Sequence, residues 1–140
     1  MLAKVVQTEK EMQDAFSIRM KVFVEEQKVP AEEEVDENEE MSVHVVLYDE
    51  SMPVGTGRIR EADGYGKLER ICILPSYRGK GAGSLIMKEL EIVAAPNIEK
   101  FKLNAQTQAI PFYEKLGYEV RSGVFMDAGI PHVTMIKSRL

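Results

Sequence analysis

The spacing of apolar residues changes period several times along the chain, and each change marks an element. Leu2 to Gln7 reads as a strand, after which the period turns helical from about Glu9 to Val24, with Met12, Ala15, Phe16, Met20 and Phe23 on one stripe. Thr8-Glu9-Lys10-Glu11 has capping-box spacing and makes Thr8 the N-cap. Beyond an acidic stretch, Val43 to Tyr48 and Val54 to Arg60 form a hairpin around Glu50-Ser51-Met52-Pro53, and Lys67 to Leu74 follows the turn at Asp63-Gly64-Tyr65-Gly66 as a further strand. Ala82, Leu85, Ile86, Leu90 and Val93 return to helical spacing in a helix from Ala82 to Ala95 that Pro96 stops. Phe101 to Ala105 is a strand, Pro111 opens a short helix that ends at Gly117, and strands near Tyr118 to Met126 and His132 to Lys137 flank Asp127-Ala128-Gly129-Ile130-Pro131. This order predicts an α+β fold, a mixed sheet with helices on its faces.

The junction at Arg78-Gly79-Lys80-Gly81-Ala82-Gly83-Ser84 carries the clearest chemistry. It joins the strand ending before Pro75 to the Ala82 helix, whose start leaves about four N–H groups unpaired and roughly half a positive charge. An anion fits there, and glycines let it approach. A P-loop is excluded, because Leu74 stands where its first glycine belongs and Gly81 follows Lys80; a dinucleotide fingerprint is excluded because Ser84 replaces its last glycine.

What remains, Arg-x-x-Gly-x-Gly, resembles the acetyl-CoA pyrophosphate loop of the GNAT superfamily of N-acyltransferases. A second segment, Ala109-Ile110-Pro111-Phe112-Tyr113-Glu114-Lys115-Leu116-Gly117-Tyr118, resembles that family's later motif, a short helix with an aromatic pair ending before Gly-aromatic. Arg19-x-x-Val22-Phe23-Val24-x-Glu26-Gln27, Gln27-x-Val29-Pro30, His44 and Gly129-Ile130-Pro131-His132 narrow the likeness to the small bacterial ElaA-like and YjcF-like branch. The resemblance covers nearly the whole chain. It implies one GNAT domain over residues 1–140, with a mixed, mostly antiparallel central sheet and helices on both faces.

Charge and composition narrow the partners. The net charge of −5 is uneven: between Glu25 and Glu40 nine acidic residues accompany one lysine. No basic stripe offsets that block, so nucleic acid is not an expected partner. Most of these carboxylates read as a solvated loop, with a minority left to face a cationic substrate. Cys72 is the sole cysteine, which excludes a disulfide framework within the chain and a cysteine zinc cluster and fits a reducing cytoplasm. The N-terminus is too soon polar for a signal peptide, no apolar run reaches spanning length, and no membrane partner is expected. The late strands can close one monomer's sheet or pair in a homodimer.

The resemblance implies transfer of an acetyl or other short acyl group from a CoA thioester, acetyl-CoA as donor, directly to a primary amine: a small molecule or a lysine side chain. Arg78 to Ser84 would cradle the pyrophosphate, with Arg78 and Lys80 adding charge, and Ile71, Cys72 and Ile73 would pair with the pantetheine arm and offer an N–H to the carbonyl. Phe112 and Gln106 complete the donor side, Gln106 standing where many relatives carry Asn. Tyr113 matches the family tyrosine that faces the sulfur and can protonate the leaving thiolate. Glu69, on the strand face of Ile71 and Ile73, is a candidate base for the amine proton, or a surface carboxylate paired with Lys67 or Arg58. Phe23, Glu26, His44 and His132 are candidate acceptor contacts. Two separated histidines make no metal motif, and no metal is expected. A non-catalytic CoA-binding or sensing module of the same fold is the alternative, and an interaction protein using its acidic tract explains residues 25–40 but neither motif.

Overall fold

Thr8 opens the first helix as the capping box requires. Its side-chain oxygen accepts from the Glu11 N–H at 3.1 Å while the Glu11 carboxylate accepts from the Thr8 N–H at 3.1 Å. In the computed structural model, which describes residues 1–139, this helix, α1 (Glu9–Arg19), runs straight into a π-helical turn over Met20–Glu26. That turn ends with the Gln27 N–H on the Val22 carbonyl at 3.0 Å, a wider ring than the α-helix closes. The helical period predicts a helix here but not the change of pitch, because the seven residues of the π-helical turn are too few to establish a period of their own.

The strands are β1 (Leu2–Val5), β2 (Val43–Asp49), β3 (Met52–Ala62), β4 (Tyr65–Ile73), β5 (Lys100–Gln106), β6 (Glu119–Val120), β7 (Phe125–Asp127) and β8 (Ile130–Ser138). They form one sheet in the order β1-β2-β3-β4-β5-β8-β6, with β7 also on β8. The expected strand from Tyr118 to Met126 is therefore two short pieces, interrupted over residues 121–124. The remaining helices are α2 (Ala31–Glu34), within the acidic stretch, α3 (Ala82–Val93) and α4 (Ile110–Lys115).

Every neighbouring pair is antiparallel except β4 and β5, which α3 connects. Those two pair only over Gly66–Leu68 against Phe101–Leu103 and then part. A bulge accompanies the parting: Thr56 faces Cys72 but Arg58 faces Glu69, so β4 carries an extra residue, and Arg70 takes a left-handed φ of 58°. Gly57 lies against the bulge. A Cβ there would stand 2.6 Å from Ile71 Cδ1 and 2.9 Å from Leu90 Cδ1, so glycine lets these side chains pack down on the distorted strand without shifting.

Alternation divides the sheet's faces. Val45, Leu47, Ile59, Leu68, Leu103, Val133 and Met135 pack with Ile86, Met87 and Leu90 of α3 in the main core. A smaller cluster of Ile18, Val22 and Cys72 lies under α1 on the other side.

That side also holds a charge cluster. Arg19 and Arg58 are each 1% exposed. Arg19 reaches Glu34 at 2.6 Å and Glu39 at 2.7 Å, and Arg58 reaches Asp36 at 2.8 Å, Glu39 at 2.8 Å and Glu69 at 2.9 Å. Six of the nine carboxylates between residues 25 and 40 are exposed, as expected for most of them, but the minority, Glu34, Asp36 and Glu39, turn inward to arginines of the protein itself. The reason is electrostatic: two arginines enclosed by protein require anionic partners, and the acidic stretch supplies them.

Candidate active site

The parting of β4 and β5 opens a cleft of about 560 Å³, within the range of small-ligand sites. Ile71, Cys72 and Ile73 line one wall, and past Leu68 their β5-facing backbone edge has no strand partner. Asn104, Ala105 and Gln106 line the other, and Gly79, Gly81, Ala82, Gly83 and Ser84 close one end.

That end is built for an anion. Gly79 and Gly81 have φ of 77° and 83°, and Gly81 caps α3 without a side-chain hydrogen bond. No intramolecular hydrogen bond of good geometry engages the N–H groups of residues 79–84. A Cβ on Gly83 would lie 2.8 Å from Phe112 Cζ, so glycine is needed for the ring of α4 to pack against the start of α3. Arg78 lines the cleft, yet its two terminal nitrogens grip Glu26 at 2.7 and 2.8 Å and its Nε donates to the Ile73 carbonyl at 3.0 Å. Lys80 is not among the lining residues; its Nζ sits 5.7 Å from the Tyr77 ring centroid.

The two sides of the cleft differ in polarity. Leu68, Leu103, Ala105, Phe112 and Tyr113 belong to the α3 side, whereas alternation puts Lys67, Glu69, Asn104, Gln106 and His132 on the α1 side. Gln106 exchanges side-chain hydrogen bonds with Gln27, at the end of the π-helical turn. Tyr113 is buried except where it meets the cleft. Its hydroxyl has no protein partner, and no sealed side-chain polar atom among the described residues lacks one, so the hydroxyl opens on the cleft. Burial pushes its pKa up, which keeps it a proton donor.

Glu69 lines the cleft but is fully engaged, with Arg58 at 2.9 Å, Arg60 at 2.9 Å and Lys67 at 3.2 Å. Burial works against its charge, and the three cations outweigh burial and hold its pKa down to about 2. Cys72 is buried, and burial pushes its thiol pKa up, so it is not a nucleophile.

Among the acceptor candidates, Phe23 and His132 line the cleft. Glu26 and His44 do not. Glu26 is occupied by Arg78, and His44 is a buried residue opposite Arg58 in the strand register, its Nε2 donating to the Glu39 carbonyl at 2.8 Å. Burial lowers its pKa, so His44 braces the charge cluster as a neutral ring. Sequence reasoning missed Asn104, Tyr77 and Val22 as lining residues. The alternation of β5 through Gln106 was the available signal for Asn104. No group of three or more His, Cys, Asp or Glu among the described residues could hold a metal, and no described helix is long and apolar enough to cross a membrane.

A parallel strand pair parts here above a glycine-rich helix start, and the cleft between them has one apolar and one polar side. The chain matches the Acetyltransferase (GNAT) domain over residues 6–139 and belongs to the GNAT family of acyl-CoA-dependent N-acyltransferases. The uncharacterized N-acetyltransferase YjcF of Bacillus subtilis (strain 168) is 57% identical over 139 residues, covering 98% of this chain and 99% of YjcF. Two solved structures share the fold. Escherichia coli ElaA is 22% identical with a TM-score of 0.85, covering 97% of this chain and 98% of ElaA. An aminoglycoside 6′-N-acetyltransferase complexed with coenzyme A is 17% identical with a TM-score of 0.77, covering 100% of this chain and 98% of that one.

Proposed function

We propose that the protein transfers an acetyl group from acetyl-CoA directly to a primary amine that enters from the α1 side of the cleft. The observation that carries this is the row of unengaged N–H groups over residues 79–84, set at the end of the opening between β4 and β5. A pyrophosphate fits that row: the donors are backbone, the helix start adds positive potential, and the positive-φ glycines leave the approach open. The aminoglycoside acetyltransferase of the same fold was crystallised with coenzyme A, which supports the choice of donor. Acetyl-CoA supplies the activated acyl carbon.

The chain's own groups do the rest. The free β5-facing edge of Ile71 to Ile73 offers backbone hydrogen bonds to an extended amide-bearing arm, and an N–H on that edge polarises the acyl carbonyl. Tyr113, kept protonated by its surroundings, gives its proton to the departing thiolate. Glu69 stays ionised and anchors Lys67, Arg58 and Arg60 along the acceptor side, a positioning rather than a proton-accepting part. Cys72 stays a thiol in the reducing compartment where we place the reaction.

Tyr113→Phe tests this reading. Titration calorimetry should give an acetyl-CoA Kd within about twofold of the parent, while thiol release in the presence of an amine should fall at least about tenfold. Unchanged turnover would remove Tyr113 from the chemistry, and a parent that turns over no amine would overturn the reading.

A further inference from the structure

We infer that His132 takes the proton from the incoming amine, so that its Nε2, on the α1 side of the cleft, is the general base. This rests on the transferase reading above. His132 lies opposite Gln106 of β5 and Phe125 of β7 and is 9% exposed, at the cleft.

Its Nδ1 stands 2.7 Å from the Ile130 carbonyl oxygen. A carbonyl only accepts, so the hydrogen is on Nδ1 and the lone pair of the neutral ring is on Nε2. Phe125 stacks on the ring with centroids 6.1 Å apart and planes 24° apart, which fixes the direction of that lone pair. No protein group hydrogen-bonds Nε2, and no sealed side-chain polar atom among the described residues is unpartnered, so Nε2 reaches open space on a residue that lines the cleft.

The other candidates are committed. Glu69 is held by three cations, and His44 is buried with its Nε2 donating to Glu39. The titratable and charged groups that share the cleft with His132 are Lys67, Glu69, Arg70, Tyr77, Arg78, Tyr113 and Asp127, besides buried Cys72.

The step balances. One ammonium proton passes to Nε2 and the freed amine attacks the acyl carbon, forming C–N as C–S breaks. The thiolate takes the Tyr113 proton, the second N–H proton restores the phenol through water, and the imidazolium returns its proton to solvent.

The test is the pH dependence of kcat/KM for one amine in the parent, His132→Gln and Glu69→Gln. His132→Gln should keep the acetyl-CoA Kd within about twofold, lose about 100-fold in turnover at pH 7, and regain rate tenfold per pH unit as free amine rises where the parent has levelled off. A parent that acetylates amines alongside a His132→Gln protein within threefold of it and with the same profile would overturn the inference and leave the transferase standing. A parent with no turnover overturns both. Should His132→Gln not fold, diethyl pyrocarbonate on the parent decides, with the modified histidine located by peptide mass: modification of His132 should abolish turnover, spare acetyl-CoA binding and reverse with hydroxylamine. Full activity after modification would overturn the inference.

Discussion

Replacing Arg58 with leucine tests the electrostatic part of this account. Arg58 makes five side-chain hydrogen bonds to Asp36, Glu39 and Glu69 while 1% exposed. Leucine leaves Glu39 with Arg19, and Glu69 with Arg60 and Lys67, but each has lost its shared central cation. Breaking a buried ion cluster by removing one partner costs about 3–5 kcal/mol. That is a large part of the roughly 5–15 kcal/mol that holds a domain folded. For a chain of this size it lowers Tm by about 10–20 °C.

The sign of the pH dependence follows from the carboxylates. The Arg58 hydrogen bonds hold Asp36 down to about 2. Glu39 and Glu69 reach about 2 although burial opposes it, the former chiefly through Arg19 and the latter through Arg60, Arg58 and Lys67. Stabilisation from depressed carboxylates is full above the ordinary carboxylate pKa of about 4 and fades as the pH falls toward about 2. Glu34, lifted by burial, works in the opposite sense. Urea unfolding of parent and variant should therefore show the widest gap at pH 7 and a narrower one below about pH 4. A gap under about 1 kcal/mol at pH 7, or one that does not narrow in acid, would refute the reasoning.

Three further outcomes are expected. Glu26→Gln should tighten acetyl-CoA binding by about two- to fivefold at low salt by freeing the Arg78 guanidinium for phosphate, and Arg78→Gln should weaken it; calorimetry showing no gain for Glu26→Gln would leave Arg78 serving Glu26 alone. Gly83→Val should drive the Phe112 ring from its seat and weaken acetyl-CoA binding at least about tenfold by the same measurement. Cys72 should stay unreactive to a thiol reagent in the native protein and become reactive only on unfolding, since burial both covers it and raises its pKa.

The glycine-rich strand-to-helix junction proposed to hold the donor was legible in the chain because backbone makes it: glycine spacing, a proline-stopped strand and a helical period are local signals. Capping at Thr8 and the hairpins were legible for the same reason. The acceptor side was not, because it depends on which strands part. Nothing local in Tyr65–Ile73 announces that β4 leaves β5 after three residues, or that Arg70 adopts a left-handed φ. His44 and His132 look alike in sequence, and only the register separates them: one faces Arg58 in the charge cluster and the other reaches the cleft. Which carboxylates of the acidic run turn inward was not legible, because the arginines that claim Glu34, Asp36 and Glu39 lie up to 36 residues away.

Acetyl transfer through the β4–β5 cleft has a direct chemical signature. Purified protein incubated with acetyl-CoA and a panel of primary amines, with thiol release and the mass of the amine followed together, tests it most directly. An amine should gain one acetyl group for each thiol released, and at acetyl-CoA concentrations below the parent's Kd the rate should fall at least about tenfold in Gly83→Val. Thiol release without amine acetylation, or no acetyl-CoA-dependent reaction with any amine, would contradict it.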